Sequence, residues 1–140
     1  IFRSPLMGWF FRLAKTIPIA PRSKEPAIYD AAFDAVSREL QAGNLVCIFP
    51  EGKLTTSGEI DAFKSGIETI IQRDPVPVVP MALQGLWGSF FSHKDAPAFT
   101  RPPKRFWSKV GLRASAPWPA TRVTAAGLEA EVKQLRGDWR

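Results

Sequence analysis

Cysteine, long apolar runs, internal repeats and flexible linkers are what this sequence lacks or nearly lacks. Its one cysteine, Cys47, excludes an internal disulfide and any cysteine-built zinc cluster. That fits a reducing compartment and predicts a thiol packed inside. No window approaches the roughly 18 consecutive apolar residues of a spanning helix, and the first residues do not read as a signal peptide. A soluble or peripheral chain is the expectation. Without a repeat or a linker, residues 1–140 read as one domain with a single core. An initiating methionine is also lacking: the chain starts at Ile1, which suggests a piece of a longer polypeptide.

Basic charge is what the chain has in excess. The net charge of +6 favours an anionic partner, whether phosphate ester, anionic lipid or nucleic acid, without choosing among them.

Apolar spacing gives the elements. Phe2, Leu6, Trp9, Phe10 and Leu13 form one helical stripe, and Ile17 to Ile19 a short strand ending in a basic turn with Arg22. Tyr29, Phe33, Val36 and Leu40 repeat the helical period, with Gly43 placed as the left-handed residue that stops the helix. Leu45 to Phe49 reads as a strand buried on both faces. Phe63, Ile67, Ile70 and Ile71 make another helical stripe, ended by Asp74 and Pro75. Val76 to Leu83 is strand-like, with Pro77 and Pro80 confined to its entry, an edge or a bulge. Phe106 to Ala114 predicts a late strand, and Leu128, Val132, Leu135 and Trp139 a terminal helix. Alternating helices and short buried strands predict an α/β fold, a mostly parallel sheet flanked by helices, with ligands collected beyond the carboxyl ends of the strands.

One segment lies in that position: CIFPEGKLTTSGE, Cys47 to Glu59. Gly52 lets the backbone turn and a ligand approach closely. Lys53 offers an ammonium, and Thr55, Thr56 and Ser57 offer hydroxyls, a set suited to a phosphate. Glu51, acceptor-only when ionised, suits a substrate hydroxyl or a nearby cation. On chemistry alone, a solvated strand-to-loop turn explains the same residues.

Phe49, Pro50, Glu51 and Gly52 resemble the FPEG block of the glycerophospholipid acyltransferases, the family that acylates glycerol 3-phosphate and lysophospholipids. Ile17, Pro18, Ile19 and Arg22 resemble its second block, a strand ending in a phosphate-binding arginine. Val76, Pro77, Val78, Val79 and Pro80 resemble its fourth, a proline-containing strand beside the acyl donor. Three ordered blocks between Ile17 and Pro80 are more specific than any one of them. The continuation Lys53, Leu54, Thr55 is similar to the FPEG-Arg-Ile-Thr form of bacterial domains that re-acylate lysophosphatidylethanolamine; lysine keeps the charge and loses the bidentate fork.

The resemblance implies acyl transfer from acyl-CoA or acyl-carrier protein to a hydroxyl of lysophospholipid or glycerol phosphate. Arg22, Phe49, Pro50, Glu51, Gly52, Lys53 and Thr55 would bind the acceptor, and Val79 and Pro80 would lie at the acyl-donor site. No cofactor or metal is expected. The family's first block, His-x4-Asp, supplies its general base. These 140 residues hold no such block, and the single histidine, His93, follows the fourth block and has its aspartate two residues on. The expectation is therefore a chain that carries the binding half of an active site, with the catalytic block upstream of Ile1 and no catalytic residue of its own. The alternative is a non-catalytic lipid- or phosphate-binding module of the same fold.

Such substrates place the enzyme at a membrane surface, on the cytoplasmic face of the bacterial inner membrane, peripheral or within a larger membrane protein. Trp9, Phe10 and Phe11 beside Arg12 and Lys15 suit that interface, and so does the stretch from Phe99 to Lys109. A core-facing helix with a solvated basic side is the better account of the first group, and for the later stretch the two accounts are equal. Aromatics interleaved with base also bind single-stranded nucleic acid, but no RNA-binding motif accompanies them, so no nucleic acid is expected.

Overall fold

Pro26 opens the first helix, α1 (Pro26–Gln41), where a missing N–H costs nothing. The structure is a computed structural model and describes residues 15–21, 23–53, 55, 57–85, 87 and 109–138. The helix ends as Gly43 predicts: Gly43, at φ 79°, donates to Leu40 O, and Asn44 donates to Glu39 O. Those two bonds make a Schellman stop, which satisfies carbonyls the helix leaves open. The apolar stripe buries Phe33 and Val36, and Tyr29 stacks on Phe33 with ring centroids 4.6 Å apart. These residues belong to the first of two compact units, Ile1–Val46, and the second is Cys47–Arg140.

In the second unit α2 (Gly66–Arg73) carries Ile67 and Ile71 inward and stops at Asp74, one residue before Pro75. Strands β1 (Met81–Gln84) and β2 (Gly111–Ala114) pair antiparallel, Met81 opposite Ala114 and Gln84 opposite Gly111. Val78 and Trp118 add an isolated bridge upstream, so Pro77 and Pro80 both fall outside the ladder positions that need an N–H. A 3-10 turn (Ala120–Arg122) leads into α3 (Ala125–Arg136). Thr124 caps α3 by accepting from Gly127 N, and the Glu68 carboxylate accepts from Ala125 N at 2.7 Å, where the helix dipole favours negative charge. At its other end Gln84 Nε2 donates to Leu135 O and Arg136 O, closing two terminal carbonyls and fastening α3 to β1.

The core of this unit is Ile67, Ile71, Trp118, Val123 and Leu128, flanked by Ile48, Phe63, Val76 and Val78. Burying each of the branched side chains contributes about 1.5–3 kcal/mol. Arg122 lies over the Trp118 ring, 4.0 Å from its centroid, and covers the outer edge of that core.

The chain is mixed α/β as expected, but its ladder is not. Among the described residues the regular sheet is the antiparallel β1–β2 pair rather than a mostly parallel sheet. Leu45 to Phe49 is not a buried strand: it has no ladder partner among the described residues, and Leu45, Cys47 and Phe49 are exposed. Cys47 is therefore not packed inside. An apolar run states that a segment gains from burial; it does not supply the neighbouring strand that completes its hydrogen bonds. Ile17 to Ile19 likewise lacks strand pairing, and Ile19 is exposed. The expected helix over residues 2–13, the aromatic and basic stretch 99–108, Arg22, His93 and Trp139 lie outside the described residues. Among the described residues, no helix is long and apolar enough to cross a membrane.

Candidate functional site

The FPEG segment is a tight turn. Gly52 N donates to Phe49 O at 3.1 Å, Pro50 occupies the position where its fixed φ helps, and Gly52 takes φ 66°, which a side chain resists. Lys64 N donates to Pro50 O at 2.9 Å, which ties the turn to the residues entering α2. Glu51 looks across the same loop. Its Oε2 accepts from Asp61 N at 2.8 Å, while its second oxygen accepts nothing from the described residues and stays available to a ligand donor.

Two ammonium groups belong to the same loop. Lys53 Nζ lies 3.2 Å from Asp61 Oδ1, an exposed pair that contributes little to stability and keeps the amine close to the turn. Lys64 reaches the turn itself: its Nζ lies 3.1 Å from where a Cβ on Gly52 would sit, so the absent side chain is what admits it. Thr55 Oγ1 accepts from Ser57 N and Gly58 N, and Ser57 Oγ accepts from Glu59 N, which turns the hydroxyl run into a small self-bonded loop. Two cations, one half-used carboxylate and a bare glycine can hold a phosphate ester that carries a neighbouring hydroxyl.

A family model described as Acyltransferase matches residues 1–84. The chain belongs to this Acyltransferase family. Among curated proteins, the acyltransferase chain is 31% identical over 85 residues to a chloroplastic 1-acyl-sn-glycerol-3-phosphate acyltransferase of Brassica napus, covering 61% of this chain and 24% of that protein. It is 30% identical over 87 residues to a Mycoplasma pneumoniae protein named probable 1-acyl-sn-glycerol-3-phosphate acyltransferase, covering 61% and 33%. It is 27% identical over 116 residues to the N-acylphosphatidylethanolamine synthase of Arabidopsis thaliana, covering 79% and 40%. The acyltransferase chain thus spans less than half the length of these relatives. No solved structure matches it.

Of the sequence-predicted acceptor residues, the acyltransferase fold brings Phe49, Pro50, Glu51, Gly52, Lys53 and Thr55 into one loop. Phe49 is exposed rather than anchored in the core. Arg22 lies outside the described residues. Val79 is exposed and Pro80 buried at the entrance to β1, where Pro80 O accepts from Ser115 N. No hydrogen bond joins this pair to the FPEG turn among the described residues. Lys64 and Asp61 were not singled out from sequence. Lys64 follows Phe63 at the edge of an apolar stripe, where a lone lysine reads as solvated, and only the turn's closure onto Pro50 brings it to Gly52. Among the described residues no three His, Cys, Asp or Glu side chains converge as a metal site would require.

Proposed function

We propose that this chain holds the acceptor in an enzyme that transfers a fatty acyl group from a coenzyme A or carrier-protein thioester to a hydroxyl of lysophospholipid or glycerol phosphate. The observation that carries this reading is the turn at Gly52, with Lys53 paired to Asp61, Lys64 against Gly52, and one Glu51 oxygen that accepts nothing from the described residues. In this reading the ammonium groups and Thr55 bind the acceptor phosphate, Glu51 accepts a hydrogen bond from an acceptor hydroxyl, and Arg22 is a phosphate ligand by the resemblance of its block. The hydroxyl oxygen attacks the thioester carbonyl, an oxygen ester forms, the carbon–sulfur bond breaks and the thiol leaves. Val79 and Pro80 border the thioester's acyl chain.

The attacking hydroxyl must lose its proton, and the base belongs to a His-x4-Asp block outside these 140 residues. In the same reading the full polypeptide acts from the cytoplasmic face of a bacterial inner membrane. Resemblance of the blocks and the names of the relatives support the acyl transfer.

The test is thiol release from acyl-CoA by the full-length protein, with 1-acyl-glycerol 3-phosphate and lysophosphatidylethanolamine as separate acceptors. Glu51→Ala and Arg22→Ala each lower kcat/KM by about 10–100-fold, the worth of one or two hydrogen bonds to a charged group. Unchanged kinetics in both variants refute the assignment. Binding of acceptor without turnover, in a reading frame lacking His-x4-Asp, would instead identify a phosphate-binding module.

A further inference from the structure

The family match stops at residue 84, yet the loop that carries the acceptor site is held from far beyond it. Arg136, in the last turn of α3, donates from Nη1 to Gly58 O at 3.0 Å and pairs through Nη2 with Glu59 Oε2 at 2.7 Å. This is not a loose surface pair: the Arg136 side chain is 14% exposed and engages the loop through both a backbone carbonyl and a carboxylate. Gly58, with φ 80°, is pressed from another side by Trp87, whose ring atoms lie 2.5–2.9 Å from where its Cβ would stand. Gly58 N in turn donates to Thr55 Oγ1, two residues from Lys53.

The loop is gripped a second time from the same helix. Glu129 Oε2 accepts from Phe63 N at 3.0 Å, and the next residue, Lys64, is the one whose amide closes onto Pro50 and whose ammonium overlies Gly52. The segment Phe49 to Lys64 is thus bonded to α3 at two places, Gly58–Glu59 and Phe63, and Gln84 fixes α3 to β1.

We propose that Arg136 and Glu129 are positioning residues for the acceptor site. They set the separation of Lys53, Lys64 and Glu51 by holding the return side of their loop at Gly58–Glu59 and at Phe63, and so act on recognition of the phosphate-bearing acceptor rather than on the thioester. This inference rests on the acyl-transfer reading of the turn.

The experiment is steady-state kinetics of the full-length enzyme with lysophospholipid and acyl-CoA varied separately, for Arg136→Ala, Arg136→Lys, Glu59→Gln and Glu129→Gln, with Glu51→Ala as reference and urea denaturation on each. The expected result is a rise of about tenfold in acceptor KM for Arg136→Ala, the worth of one charge-assisted hydrogen bond, with the acyl-CoA KM unchanged. Arg136→Lys recovers part of the loss, since it keeps the charge opposite Glu59 but not the fork. Glu59→Gln, which keeps the shape of the loop, raises acceptor KM by about threefold and keeps the proposal testable should Arg136→Ala fail to fold. A fall in kcat alone, in proportion to the folded fraction and with both KM values intact, would show a merely structural contact and overturn the proposal. Normal acceptor KM in the Arg136, Glu59 and Glu129 variants, beside an impaired Glu51→Ala, overturns it and leaves acyl transfer standing. A silent Glu51→Ala removes the reading of the turn itself, and the proposal with it.

Discussion

Substituting alanine at Gly58 separates two costs that usually arrive together. The backbone there has φ 80°, and a Cβ would stand 2.5, 2.6 and 2.9 Å from three atoms of the Trp87 ring, closer than real contacts allow. A left-handed conformation costs a residue with a side chain about 1–2 kcal/mol. Overpacking against a rigid ring adds about 1–3 kcal/mol. Gly58→Ala therefore destabilises by about 2–5 kcal/mol. Two other glycines calibrate the terms. Gly43 has φ 79° and nothing within 4 Å of its Cβ position, so its alanine variant carries the backbone cost alone. Gly52, at φ 66°, meets only the far end of Lys64, which can swing aside. The expected order of loss is Gly58 well above Gly52, with Gly52 close to Gly43. Urea denaturation of the three variants, followed by circular dichroism on the same full-length background, reads the differences through the midpoint at constant slope. If Gly58→Ala costs no more than Gly43→Ala, the Trp87 contact is not there, and the account of how this loop is packed is wrong.

Three further outcomes follow from the same geometry. Lys64→Ala, in a residue exposed to solvent and outside the core, leaves stability within about 0.5 kcal/mol and raises acceptor KM by about 10–100-fold, which acyl transfer kinetics and urea denaturation together check. Thr124→Ala removes the cap on α3 and costs about 1 kcal/mol, read by urea denaturation. The Glu129 carboxyl is held below the ordinary glutamate range by its hydrogen bond from Lys133 and then by that from Phe63 N. A folded pKa below the unfolded value, about 4.3, means a stabilisation fully present above that pH and lost as pH falls through the folded value. The stability gap between the native chain and Glu129→Gln should accordingly close on acidification, and a gap independent of pH would contradict the bonding described.

What the sequence reveals depends on how far apart the cooperating residues lie. The Gly43 stop, the end of α2 at Asp74 and the positions of Pro77 and Pro80 are dictated by backbone chemistry within a few residues, and each appears where expected. The FPEG turn is legible for the same reason: its proline, carboxylate, glycine and Lys53 are contiguous. Leu45 to Phe49 fails as a strand because strandedness is a property of pairs, and apolarity at one position carries no news of the partner. Asp61 sits ten residues from the Glu51 it bonds, and Arg136 lies 77 residues from Glu59. No local pattern could match those partners, since a lone acid or arginine in a polar stretch is compatible with many surroundings.

The separation between Glu59 and Arg136 has a consequence for biosynthesis. Translation at about 5–20 residues per second leaves roughly 4–15 s between the appearance of the carboxylate and that of its guanidinium partner. Throughout that interval the nascent loop lacks its distal anchor, whatever the ribosome has already let the earlier helices do. The final setting of this loop is thus acquired late in the life of the polypeptide, and a premature stop shortly before Arg136 would yield a chain with every residue of the signature, tied at Phe63 but without the guanidinium grip on Gly58 and Glu59.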